Sequence, residues 1–401
     1  MPAAHVPLTD QLLAGSFPSS DPFALYAALQ ADHPVAWNAT AGFWAITRHA
    51  DVMAVATDSQ TWCSSKGILV SEIGTHYDAP PTMMHTDPPD HTRYRALVQP
   101  AFSKRRMREL EGSIRSRVVA LLDSMDARTA TGAGAIDVVD ALAVPLPIEV
   151  ITDLLGIHDV GTERILQWTE AAIPDTDGLD DEERMALLGE MLGYLVETAG
   201  ARRKAPEDDF ISDLAAVEVD GSGLSDDELA MFLIQLLVAG NDTTRNVISG
   251  GIVALAERPE EWRRLRADPA LRPTAVEELV RWTTPVISFL RTATRDTTLG
   301  GVDVAEGDPA LLLYAAANRD PAEFGPTAGE LDVGRTPNHH LGFGFGAHFC
   351  LGAALARMEV AVVLEELAAR YAGWELAAEP QRSPSTIIAG ITAAPVAFRP
   401  A

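Results

Sequence analysis

The sequence predicts a mainly α-helical protein with small β-sheets, organised as one unit over residues 1–401. Three observations carry this. Helical periodicity dominates 104–123 and about 147–202. A run that is apolar nearly all round follows a capping signal at Ser225-Asp226-Asp227-Glu228. Strand-like patterns are confined to about 30–60, 286–315 and the C-terminal end, and no stretch reads as a linker.

Taken in order, residues 34–48 (PVAWNATAGFWAITR) place aromatic and β-branched residues on both sides of Ala41-Gly42, which predicts a hairpin. Residues 64–84 are rich in Gly, Pro and Met and read as a long loop. Helices follow from Asp90 to Pro100 and over 104–123, then a Gly/Thr/Ala-rich loop at 128–135. Acidic loops at 172–183 and 206–210 punctuate the helical middle, and 217–224 reads as a loop or short hairpin. The capping box at Ser225 opens one long helix over about 226–256, expected at the centre of the molecule. Pro273 opens a further helix through Trp282. Residues 286–315 alternate apolar and polar, with turns at Gly300-Gly301 and Gly307. A final helix runs from near Cys350 to about Arg370, and short strands close the chain.

Charge and cysteine usage narrow the function. The formal charge of −26 argues against nucleic acid and anionic lipid as general partners, because the mean field repels both. Two cysteines, Cys63 and Cys350, cannot build a disulfide framework. No signal peptide is visible and no apolar run reaches 18 residues, so the expectation is a cytoplasmic protein without a membrane anchor.

The most informative stretch is Phe343-Gly344-Phe345-Gly346-Ala347-His348-Phe349-Cys350-Leu351-Gly352. Three glycines around one cysteine imply a backbone that turns tightly and approaches something flat. The cysteine sits where a helix begins, and backbone N–H groups there favour a thiolate. A thiolate suits a haem iron. The bare pattern also fits a buried structural cysteine. A zinc site lacks ligands, and a phosphate loop lacks its Lys and Ser/Thr.

Other segments have two readings each. In Ala239-Gly240-Asn241-Asp242-Thr243-Thr244 a polar cluster interrupts the apolar helix, as a kink or as a functional site. Glu278 and Arg281 have the spacing of an ordinary surface ion pair. His91 and Arg95 share one helix face. Lys104, Arg105, Arg106 and Arg108 are either a solvated face or a docking patch.

The cysteine stretch resembles the signature of the cytochrome P-450 superfamily: Phe343, Gly346, His348, Cys350 and Gly352 fill every fixed position. The other segments occur in that family's order. The resemblance implies a cytochrome P-450 fold with a long central helix crossing haem b, and Cys350 as the iron ligand. Phe343 would pack beside the proximal face. His348, His91, Arg95 and Arg291 would bind the propionates. Ala239 and Gly240 would lie beside the haem, with Gly240 making room for dioxygen. Thr243 and Asp242 would handle oxygen and protons. Glu278, Arg281 and Arg335 would brace the core.

The implied activity is a monooxygenase that inserts one oxygen atom of dioxygen into a C–H bond. Its electrons would come from NAD(P)H through a ferredoxin reductase and a ferredoxin, with the patch at 104–108 near the donor's docking face. The implied pocket takes in the loop at 66–84, the helices around 165–200, Leu236, Ala239, Val286, Ile287, Ser288, Phe289, Ile387 and Ile388. The segment TPVISFLRTATRDT resembles a bacterial subgroup acting on steroids and branched lipids. A steroid, terpenoid or fatty-chain substrate is therefore expected, with macrolide or polyketide tailoring as the alternative. A non-catalytic haem-thiolate recruitment or sensor protein is the rival of a different class, as is a peroxide-driven enzyme. Both would usually have lost residues that are present here. A monomer is expected.

Overall fold

The computed structural model describes residues 4–13, 22–75, 82–102, 104–132, 134–173, 178–219, 221–383, 385 and 387–401. Helices form the bulk of it, and the sheets are small. The main sheet has five strands in the order Val35–Asn38, Phe43–Ile46, Pro309–Leu313, Ser288–Ala293 and Trp62–Cys63. The hairpin pairs Trp37 with Trp44 and turns at Gly42, whose φ of 73° suits glycine. Leu311 lies between Ala45 and Leu290, so the predicted strands at 34–48 and 286–315 join one sheet. A second hairpin, Thr297–Leu299 with Val302–Val304, turns at Gly300 and Gly301.

The central helix spans Asp226–Glu257. Ser225 accepts from the Glu228 amide at 3.2 Å, and the Glu228 carboxylate accepts from the Ser225 amide at 2.7 Å. Both orphan donors of the first turn are thus satisfied. Helices Pro145–Leu155, Thr162–Ala171, Asp181–Lys204, Arg272–Thr283 and Ala353–Arg370 surround it. Leu233, Leu237, Ile248, Ile252, Leu279, Val363 and Leu367 belong to the shared core.

The structure differs from the sequence reading at several edges. Helix Lys104–Ala130 runs past 123, because its apolar face continues through Leu122 and Met125. Helix Pro259–Ala267, led by a proline at its start, was not anticipated. Part of the loop at 64–84 is ordered as short 3-10 turns, Val70–Glu72 and Met83–His85, while 76–81 lies outside the described residues. The last helix begins at Ala353, leaving Cys350 in the loop that leads into it. Among the described residues no helix is long and apolar enough to cross a membrane.

Candidate active site

The loop before Ala353 is pinned at both ends. The Leu341 amide donates to Asn318 Oδ1 at 2.7 Å, and the Cys350 amide donates to the Phe343 carbonyl at 2.9 Å. Gly344 and Gly346 take φ of 66° and 70°, a region that other residues avoid. A Cβ on Gly346 would stand 2.1 Å from the Ala56 carbonyl oxygen, so glycine is required there. Phe343 is buried under the Arg357 guanidinium, 4.3 Å from its ring centre. Arg357 in turn holds Glu277 through two bonds of 2.6 and 2.8 Å, and Glu277 also takes His340 at 3.0 Å. The sequence reading did not find this Glu277–Arg357–His340 brace, because its members are far apart in the chain.

Cys350 is solvent-accessible, as is Phe349 beside it. The surrounding protein still desolvates its sulfur, as expected for a side chain facing a cleft. Burial pushes the thiol pKa up, while the Gly352 and Ala353 amides and the Arg95 and Arg357 guanidinium groups pull it down. At Gly352 a Cβ would meet nothing within 4 Å.

A cluster of basic side chains gathers next to this loop. The His91 and His348 rings lie 4.2 Å apart, and Arg95 Nη1 donates to the Phe349 carbonyl at 2.7 Å. Burial drives the His348 pKa down to about 3, helped by Arg291, His91, Arg95 and His85. Burial likewise lowers His91, with Arg95 and Arg291 adding to it and Asp87 opposing. His91 Nε2 is buried without a partner. Arg291 is buried and donates to the Leu290 carbonyl. Neither Arg95 nor Arg291 forms an ion pair among the described residues. Segments 91–95, 291 and 348, distant in the chain, therefore meet, and the Arg95 and Arg291 guanidinium groups among them suit a dianionic group.

On the central helix, Ala239 is exposed although Leu237 and Asn241 on either side of it are fully buried. Open space therefore lies along this face at mid-helix. The Thr243 hydroxyl donates to the Ala239 carbonyl at 2.7 Å, leaving its lone pairs free to accept. Asp242 is buried, and neither carboxylate oxygen accepts a hydrogen bond. Arg245 Nη2 stands 3.1 Å away as an ion pair, and Arg245 Nη1 donates to Glu170 at 3.3 Å. Burial raises the Asp242 pKa to about 6; Arg245 opposes the rise and Glu170 adds to it. Asn241 donates to Thr169 Oγ1 at 2.9 Å. Arg245, Glu170 and Thr169 are further members that the sequence reading missed. Gly240 departs from its implied role. A Cβ there would touch Ile151 at 3.5 Å, an ordinary contact, so its bare side faces helix Pro145–Leu155.

Glu278 and Arg281 are wholly buried, which removes the surface-pair reading. Arg281 Nε and Nη2 each donate to Glu278 at 2.7 Å, and Arg335 Nε donates to it at 3.1 Å. The remaining Arg281 donors take the Asn318, Ala328 and Glu330 carbonyls. These bonds fix the chain at 318–335, which leads into the Cys350 loop.

Among the expected pocket residues, Val286 and Ile388 are half-buried and form an isolated bridge. Leu236 is half-buried on the central helix. Ile287 is instead buried in the core cluster with Leu25, Leu29 and Leu290, just before strand Ser288–Ala293. Phe289 packs edge-on to Tyr314. Arg108 is exposed at the start of helix Lys104–Ala130, while the side chains of Lys104, Arg105 and Arg106 lie outside the described residues.

Comparison with known proteins decides the family. The profile described as Cytochrome P450 matches residues 184–270 and 271–391. The chain belongs to the cytochrome P450 family. It is 37% identical to a methyl-branched lipid omega-hydroxylase of Mycobacterium tuberculosis, over 98% of this chain and 92% of that protein. It is 35% identical to a linalool 8-monooxygenase of Pseudomonas putida, over 92% and 94%. Among solved structures it resembles a Mycobacterium marinum cytochrome P450 in complex with pseudoionone, at a TM-score of 0.86 and 36% identity, covering 96% and 97%. The protein is therefore a cytochrome P450 monooxygenase, of a family that uses haem and draws electrons from NAD(P)H through redox partners. The residues found here fit a haem: an accessible cysteine in a glycine turn, and beside it two arginines without an ion-pair partner among the described residues and two histidines.

Proposed function

We propose that Cys350 binds the haem iron as a thiolate, and that His91, Arg95, Arg291 and His348 hold the propionates. The observation that carries this is the meeting of the Cys350 loop with His91, Arg95, Arg291 and His348 from segments distant in the chain, since the two guanidinium groups suit two carboxylates and the two imidazoles can hydrogen-bond them. When bound, the haem supplies the oxygen-activating chemistry of the family. This chain's residues do the rest. Phe343 and Arg357 hold the cysteine loop still. Thr243, with its proton committed to the Ala239 carbonyl, presents an acceptor to the open face beside Ala239. Asp242, with its pKa raised to about 6, can take up and release a proton near neutral pH, and Arg245 holds it in place by pairing with both Asp242 and Glu170.

The proposed substrate is an apolar branched lipid, terpenoid or steroid. The printed activities of the relatives, on methyl-branched lipid and on linalool, support that class. The half-buried apolar residues Leu236, Val286 and Ile388 are consistent with it. Electron supply by a ferredoxin and its reductase belongs to the same proposal. A type I spectral-shift screen of the holoenzyme against steroids, terpenoids, branched fatty acids and macrolactones tests the substrate class. Shifts with the first three are expected; a shift with macrolactones alone would replace this class by polyketide tailoring.

A further inference from the structure

The large apolar side chains that remain exposed collect in two places. Phe345 and Phe349 flank Cys350, in the site already described. Met185, Leu192 and Val196 lie on helix Asp181–Lys204, at 67%, 41% and 42% exposure. Their spacing places them on one face of that helix. The neighbouring face, about 80° round the helix, is committed to the core through Met191, Leu195 and Ala199.

The exposed face also carries Gly189, Gly193 and Gly200. A Cβ built on any of them would meet nothing within 4 Å. Among the described residues no close approach explains glycine there, and glycine weakens a helix interior. The ends differ in charge: Asp181, Glu182 and Glu183 open the helix, and Arg202, Arg203 and Lys204 close it. Asp181, Glu182 and Lys204 form no ion pair among the described residues.

We infer that this face pairs with the same face of a second copy, antiparallel, about a two-fold axis passing between Leu192 and Gly193. In that register each large side chain is level with a glycine of the second copy. Val196 meets Gly189, Leu192 meets Gly193 and Met185 meets Gly200. Asp181 comes level with the second copy's Lys204, so an acidic end of each helix meets a basic end of the other, while Arg203, level with Glu182, is already paired with Asp226. An isologous interface needs a patch that is self-complementary under a two-fold rotation. Here both the apolar-to-glycine pattern and the charge pattern share one centre. The net charge of −26 disfavours an anionic lipid surface as the occupant. The pairing departs from the monomer that the sequence reading expected.

Sedimentation of the purified holoenzyme should show a reversible monomer–dimer equilibrium. Val196→Glu should abolish the dimer at the same concentration while leaving the melting temperature of the monomer unchanged. Cysteine cross-linking fixes the register. Under mild oxidation Leu192→Cys should give a covalent dimer, because the two copies of residue 192 adjoin the axis. Met185→Cys should not, because its copies lie roughly 20 Å apart along the helices. Unmodified protein is the control, since Cys63 is buried and the accessible Cys350 is common to every variant. A protein that stays monomeric at high concentration, a dimer indifferent to Val196→Glu, or equal cross-linking at 185 and 192 would overturn the pairing. So would a monomer whose stripe instead binds neutral lipid vesicles.

Discussion

Two buried acids on two helices each have an arginine three residues later, yet they meet very different numbers of hydrogen-bond donors. Glu278 accepts from Arg281, Arg335, Asn338 and the Asp332 amide. Asp242 has Arg245 at 3.1 Å but accepts no hydrogen bond. Spacing and burial are shared, so the number of donors aimed at the carboxylate makes the difference. Glu278 is tied into a static brace beneath the cysteine loop. Asp242 is left poised, with a pKa raised to about 6. A fully satisfied buried network rigidifies its surroundings, and a partly satisfied one keeps free energy available for proton exchange.

The largest effect should come from breaking the brace. Glu278→Ala strands two buried guanidinium groups and should cost about 3–5 kcal/mol. Urea denaturation and soluble yield check this. A loss below about 1 kcal/mol would show that Arg281 and Arg335 find other partners, and the brace would not be needed.

At Asp242 the sign is reversed. The folded-state pKa of about 6 lies above the ordinary 3.8, so stability from this group is fully present below 3.8 and lost as pH rises through 6. Asp242→Asn should therefore stabilise the protein at pH 7, by up to about 3 kcal/mol. The gain should close as pH falls towards 4, and turnover at pH 7 should drop. Denaturation curves at the two pH values, with product assays, test this. An asparagine variant that is less stable at pH 7 would place Asp242 with Glu278 as a structural acid.

The smallest stability effect belongs to Thr243. Its hydroxyl satisfies only a backbone carbonyl of its own helix, so Thr243→Ala should change stability by less than about 1 kcal/mol. Product formed per NAD(P)H consumed should fall sharply all the same. Unchanged coupling would remove Thr243 from the proton path.

How much of this was legible in sequence follows from the range of each interaction. The central helix was legible because its cap is local, in Ser225 and Glu228. The cysteine loop was legible because its glycines and Cys350 lie within one short stretch. Glu278–Arg281 could not be told from a surface pair by spacing, since its burial depends on chain far away at 318–335. Arg245–Glu170 and Glu277–Arg357 escaped notice for the same reason. Ile287 could not be told from a pocket residue because its burial depends on Leu25 and Leu29, far away in the chain. Gly240 was assigned to the oxygen site by its position in a motif, whereas its bare side faces Ile151.

The central claim is thiolate ligation by Cys350, and the reduced, carbon monoxide-treated absorbance spectrum reads it directly. The holoenzyme should show the strongly red-shifted Soret band of a thiolate-ligated haem. Haem-reconstituted Cys350→Ala should lack it. A variant that keeps the shifted band, or a wild-type protein without it, would contradict the account.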